Sequence, residues 1–142
     1  MKQLSHLLIP VIFISLFIAC NAQTAEKDTP TLTSNEKNVK VYYFHFTRRC
    51  ATCLAIEEQT KLAIESLYRE QLANGSISFQ SVNIDEKDGA KLAEEIGVNG
   101  QSLLIVNGKN KTDLVREGFL YARANPEKLK HILKEVIDPL LL

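Results

Sequence analysis

Tyr42-Tyr43-Phe44-His45-Phe46-Thr47-Arg48-Arg49-Cys50-Ala51-Thr52-Cys53 is an apolar, aromatic run that ends in two arginines and a Cys-x-x-Cys pair. Aromatic and β-branched residues crowd residues 39–46, which predicts a strand. Both alternate sets of this run are mostly apolar: Val39, Val41 and Tyr43 with His45 on one side, Tyr42, Phe44 and Phe46 on the other. A strand that is apolar on both faces belongs in the middle of a covered sheet. Leu54, Ile56, Ala63, Ile64, Leu67 and Leu72 then recur among charged residues, an imperfect amphipathic pattern that predicts a helix over residues 53–73. Strand, short loop and two cysteines at the mouth of a helix is an arrangement with chemical content. A thiol at a helix start meets unpaired backbone N–H groups and the positive end of the helix dipole. Both favour thiolate, the nucleophilic form of cysteine.

Downstream, Asn74-Gly75 supplies a helix stop, and residues 77–84 alternate partly (Ile77, Phe79, Val82, Ile84) as a second strand. Asp88 is placed to cap a short helix running through Ile96 and ended by Gly97. Residues 103–106 form a short apolar strand, and Asn107-Gly108 signals a turn. The return strand is expected near Thr112, over residues 114–119, so the loop would run through Lys109, Asn110 and Lys111. Asn125-Pro126-Glu127 is a helix start, and Leu129, Ile132, Leu133, Val136 and Ile137 mark that helix's buried face. The predicted class is α/β: βαβ, a helix, a β-hairpin and a last helix, giving a central mixed sheet of about four strands covered by helices.

The ends of the chain carry different signals. Residues 1–19 read as a secretory signal: Lys2 opens it, and residues 7–18 are nearly all apolar. That run falls short of the ~20 apolar residues a membrane-spanning helix needs. It closes on Phe17-Ile18-Ala19-Cys20, which resembles the lipobox of bacterial lipoproteins, with Phe17 where leucine is more usual. The resemblance implies cleavage before Cys20 and lipidation of that residue. Cleavage after Ala22, or an uncleaved anchor, are the competing readings. The expected organisation is a signal peptide over residues 1–19, a polar tether over 20–38 and one domain over 39–142. The expected location is the cell envelope, facing the periplasm and tied to a membrane through Cys20. Positive and negative side chains balance at 17 each, which argues against nucleic acid as a partner.

The element order, with Cys-x-x-Cys opening the first helix, resembles the thioredoxin-like superfamily. Val82-Asn83-Ile84-Asp85 is similar to that family's second strand and its exit. Residues 95–106, from Glu95 through Gln101-Ser102 to Val106, are similar to the stretch that passes the active site into the third strand. Asn107-Gly108 and Glu117-Gly118 fall where the family has a turn and a late glycine. The run ending in Cys53 is also similar to a bacterial thioredoxin-like branch labelled as a nitrophenyl-compound nitroreductase subunit, although no flavin or nitroaromatic site is visible here.

The resemblance implies an extracytoplasmic thiol-disulfide oxidoreductase that needs no separate cofactor and acts on protein or small-molecule thiols and disulfides. Cys50 would be the nucleophile and Cys53 the resolving thiol. Arg48, Arg49 and His45 would be auxiliary groups, the arginines favouring a Cys50 thiolate. Gln101 and Ser102 would line the groove. The alternative is a non-catalytic partner of the same fold, an electron-delivery or metal-binding module of a larger reductase system. Three departures from the family stand out. The motif lacks its tryptophan and its proline; Phe44 aligns with the buried acid; Ser102 aligns with the cis-proline. A cis bond before a non-proline residue costs ~3–4 kcal/mol, so a trans bond is expected there. As a structural staple the pair is poor, because so small a loop removes little entropy from the unfolded chain. A metal site needs more ligands than His45 and His131 add, so no metal ligand is assigned.

Overall fold

The computed structural model describes residues 38–142. The leader, Cys20 and the tether before residue 38 lie outside the described residues. Four strands form one mixed sheet in the order β2-β1-β3-β4: β1 (Val39–His45), β2 (Ile77–Asn83), β3 (Ser102–Asn107) and β4 (Asn110–Asp113). β1 runs parallel to β2 and antiparallel to β3, and β3 pairs antiparallel with β4. The helices are α1 (Ala51–Leu67), α2 (Arg69–Ala73), α3 (Lys87–Ile96), α4 (Val115–Tyr121) and α5 (Pro126–Ile137), followed by a short 3-10 turn (Asp138–Leu140). Among the described residues no helix is long and apolar enough to cross a membrane.

β1 sits inside the sheet and feeds two cores. Val39, Val41 and Tyr43 pack with Ile56 and Ile64 of α1, Leu103 and Ile105 of β3, and Leu129, Leu133 and Ile137 of α5. Tyr42 and Phe44 point the other way, onto Val82, Leu104, and Ala93 and Ile96 of α3. The period-2 alternation of a strand divides its aromatic residues between the two faces. α5 starts as its sequence implies: the Asn125 side chain caps it by accepting from the Lys128 N–H, with Pro126 in the first turn.

Several expectations need correction. The helix over residues 53–73 is two helices, because Tyr68 leaves helical geometry (φ −129°, ψ 36°). Its buried ring sends the hydroxyl to Asp138 Oδ1 at 2.7 Å, tying this break to the C-terminal turn. Glu86, not Asp88, precedes the first turn of α3, and Asp88 lies within that turn. Gly97 ends α3 in the left-handed region (φ 79°), as a helix-terminating glycine does.

The largest correction concerns residues 107–121. Asn107 pairs with Asn110, so the hairpin loop has only two residues, Gly108 and Lys109, with Gly108 at φ 58°. The return strand is Asn110–Asp113, and residues 114–119 fall on the helical side of the boundary. All four residues of β4 are exposed. An edge strand with no buried face carries no apolar alternation, so its sequence resembles a loop. Leu114, Gly118 and Ala122 recur every four residues, and the two cap residues of α4 with the glycine between them form its buried side. Asp113 marks the boundary, its Oδ1 accepting from the Val115 and Leu103 N–H groups. Gly118 lets α4 approach α1 closely, since a Cβ there would lie 3.1 Å from Ile56 Cγ2.

Candidate functional site

Beyond β1 the chain turns through residues 46–49 before α1 begins. That turn is pinned from the neighbouring connection: the Thr47 N–H donates to Asp85 Oδ2 at 2.7 Å, and Thr47 Oγ1 accepts from Asn83 Nδ2 at 3.0 Å. Cys50 then takes the N-cap position of α1 in extended geometry (φ −81°, ψ 168°). Its sulfur accepts from the Cys53 N–H at 3.3 Å, the contact that a capping oxygen makes at other helix starts. One turn into the helix, Cys53 is buried, whereas Cys50 is exposed. Both are free thiols with Sγ atoms 2.7 Å apart.

The Cys50 thiol is held below its ordinary pKa. The leading cause is the hydrogen bond from the Cys53 thiol, followed by the Cys53 N–H, with the Thr52 and Cys50 amides adding to them against slight desolvation. No acidic residue sits in the first turn of α1 to oppose a thiolate. The two arginines are disposed differently from the expectation that they act on Cys50. Arg49 forms an ion pair with Glu57, and Arg48 is exposed on the loop.

Beneath the first turns of α1 lies a set of polar side chains. Gln101, in the loop between α3 and β3, donates through Nε2 to the Tyr43 hydroxyl and presents Oε1 to Cys53 Sγ at 3.8 Å. Burial pushes the Tyr43 phenol far above its usual pKa, with the Gln101 contact working weakly the other way, so the hydroxyl stays protonated. Burial also acts to raise the Glu57 carboxyl, but the nearby Ser81 hydroxyl and the Arg49 guanidinium outweigh it and hold the pKa below the usual range. Of these two, Arg49 is the one in direct contact with Glu57; Ser81 Oγ is buried with no hydrogen-bond partner among the described residues. His45, buried beside Tyr43 (ring centroids 5.8 Å apart), is bonded through Nδ1 to the Phe46 carbonyl at 2.9 Å.

Two of the positions flagged as departures read differently in three dimensions. Phe44 faces α3, away from the cysteines, so the β1 residue beneath the pair is Tyr43. Ser102 is buried, and its hydroxyl donates to Asp113 Oδ2 at 2.9 Å, pointing to the hairpin and not to an open groove. No peptide bond among the described residues is cis. The structure thus brings Cys50, Cys53 and Gln101 together, keeps His45 and Arg49 nearby with other partners, and leaves Arg48 in solvent. Sequence reasoning did not single out Glu57, Tyr43 as a polar group, or Asp113. Glu57 had a signal, four residues after Cys53 and so on the same helical face. Asp113 had a local signal only toward Val115, two residues on, because its other partners, Ser102 and Leu103, lie on another strand. Among the described residues no cluster of three or more His, Cys, Asp or Glu side chains converges as a metal site.

No family model and no curated protein matches the chain. A solved structure described as "Structure of a malarial protein" is similar at 20% identity and a TM-score of 0.37, over 54% of this chain and 75% of that one.

Proposed function

We propose that this chain is a thiol-disulfide oxidoreductase of thioredoxin type, with Cys50 as nucleophile and Cys53 as resolving thiol. The observation that carries the proposal is the asymmetry of the pair. An exposed sulfur with a lowered pKa caps a helix, and a buried sulfur stands against it. The strand order and the pair's place between β1 and α1 support the thioredoxin-type reading of the fold.

In this reading the Cys50 thiolate attacks one sulfur of a substrate disulfide. A Cys50–substrate bond forms, the substrate S–S bond breaks, and the first substrate thiolate leaves. Cys53, as thiolate, then attacks Cys50 and expels the second. The pair ends as a disulfide and has given up two electrons and two protons; the substrate ends as two thiols. The reverse sequence oxidises a dithiol. The leader reading adds that the domain works outside the cytoplasm on a lipid tether at Cys20.

A redox titration of the full-length chain against glutathione tests the proposal. Reversible loss and return of both thiols, with one midpoint, is the expected outcome. A pair that fails to exchange over a wide range of potential refutes it and leaves the partner-module alternative. For the leader, an unmodified amine at Gln23 in the mass spectrum of the mature protein would overturn the lipid anchor.

A further inference from the structure

Resolution of a mixed disulfide needs Cys53 as a thiolate, and Cys53 is buried, so what its sulfur meets there bears on that step. The groups around it come from three elements. Cys50 and, two turns further on, Glu57 belong to the start of α1; Tyr43 and His45 come from β1; Gln101 comes from the loop before β3. Glu57 shares this pocket but is engaged by Arg49, and His45 bonds the Phe46 carbonyl. The side chains in hydrogen-bond contact with Cys53 Sγ are Cys50 and Gln101.

A carboxamide has an acceptor end and a donor end, and a tyrosine hydroxyl can serve as either partner. In the reduced protein Oε1 faces the Cys53 thiol while Nε2–H donates to Tyr43. Turned about its last torsion, the same amide gives Nε2–H to a Cys53 thiolate and accepts the Tyr43 O–H through Oε1. Neither orientation leaves a buried polar atom unpaired, and neither adds a charge to the pocket.

We propose that Gln101, anchored by Tyr43, is the positioning residue for the resolving thiol, sharing the Cys53 S–H with the Cys50 sulfur in the dithiol and donating to the Cys53 thiolate as it attacks Cys50. The proposal rests on the oxidoreductase reading above. In the step concerned, the Cys53 sulfur supplies the electron pair of the new Cys50–Cys53 bond, and the Cys50–substrate bond breaks. The departing thiolate takes that bond's electrons, and the Cys53 proton passes to solvent. A neutral amide in this role favours the thiolate by hydrogen bonding alone, where a carboxylate would act as proton acceptor.

The test is stopped-flow reaction of the reduced full-length chain with excess 5,5′-dithiobis(2-nitrobenzoate). The first nitrothiobenzoate is released in a phase that scales with reagent concentration. The second comes from attack of Cys53 on Cys50 and does not scale; Cys53→Ser abolishes it. Gln101→Met keeps length and volume but removes both hydrogen bonds. It is expected to slow the second phase about tenfold at neutral pH, the loss of one hydrogen bond to a charged group. The pH profile of that phase should move upward by about one unit, with the first phase unchanged within about twofold. Tyr43→Phe should act in the same direction, and the double variant should be no slower than Gln101→Met, since the two groups work as one unit.

A second phase unchanged in rate and pH profile in Gln101→Met overturns the proposal, as does an equal slowing of both phases. If Gln101→Met does not fold, an unchanged second phase in Tyr43→Phe overturns it. Absence of any concentration-independent release in the natural protein is a different result: it removes the oxidoreductase reading itself.

Discussion

Replacing Gly89 with alanine should loosen α3 from the sheet. Gly89 is the third residue of α3, where the helix begins directly above the end of β2. A Cβ at this position would overlap the Asn83 carbonyl oxygen, lie 2.8 Å from its carbonyl carbon and stand 3.2 Å from Val82 Cγ1. The first two atoms are backbone of a paired strand, so they cannot rotate aside, and the helix must lift instead. Lifting it parts Ala93 and Ile96 from Tyr42, Phe44, Val82 and Leu104. Overpacking of this kind costs about 3 kcal/mol, the upper end of its usual range, when backbone must move, and alanine returns up to about 1 kcal/mol of helix propensity. A net loss of about 2–3 kcal/mol follows, which lowers the urea midpoint by about 1–2 M at an unchanged slope. Gly118→Ala is the control. The atoms it meets are Cγ2, Cγ1 and Cδ1 of Ile56, at 3.1 to 3.3 Å, all in one side chain. A small rotamer adjustment relieves that contact, and the propensity gain offsets it, so the net change should lie within about 1 kcal/mol. Equilibrium urea unfolding followed by circular dichroism measures both. Gly89→Ala at or above the stability of Gly118→Ala would refute the reasoning. Because the cysteines lie on the α1 side of the sheet, Gly89→Ala protein that remains folded should keep its Cys50 reactivity.

Alkylation of Cys50 by iodoacetamide, followed by peptide mapping, should persist to lower pH than that of an ordinary cysteine, because its lowered pKa keeps thiolate present until the pH falls through that value. Cys53→Ala removes the leading cause and should shift the Cys50 profile to higher pH; identical profiles would refute the assignment. Glu57→Gln breaks a partly exposed ion pair with Arg49 and should cost about 0.5–1 kcal/mol at neutral pH. Since the folded Glu57 pKa is depressed, its contribution is present above the unfolded value of about 4.3 and is lost as pH falls through the folded value. The deficit of Glu57→Gln should therefore vanish in acid, and an equal deficit at pH 3 and pH 7 would contradict the pairing. Asn125→Ala should cost about 1 kcal/mol by removing the cap of α5, read as a lower thermal midpoint.

Much of the frame was legible in the residues themselves. β1 announced a central strand through apolar character on both faces, and α5 announced its own start through Asn125 and Pro126. Gly97 marked the end of α3. Each signal is local: a period, a cap or a left-handed glycine depends on residues within a turn or two. The two cysteines at the start of a helix were equally local, and so was the Cys50 cap, because residue 53 follows it by a single turn.

What the tertiary structure decided is where contacts cross between elements. β4 was invisible because an exposed edge strand needs no apolar residues, and Leu114 was assigned to a strand that had already ended at Asp113. Phe44 aligns with the buried acid of the resembling family, but strand alternation gives the position beneath the cysteines to Tyr43, one residue away and on the opposite face. Arg49 reads in sequence as a neighbour of Cys50; folded, its charge meets Glu57. Gln101 is 48 residues from Cys53, and its contact with that sulfur exists only because the loop before β3 returns to the start of α1. Local sequence thus determined the starts of α1 and α5, the end of α3, the central strand and the Cys50–Cys53 pair at a helix mouth. The sheet's register and packing determined which side chains share the buried sulfur's surroundings, because hydrogen bonds and ion pairs depend on distance in space and not along the chain.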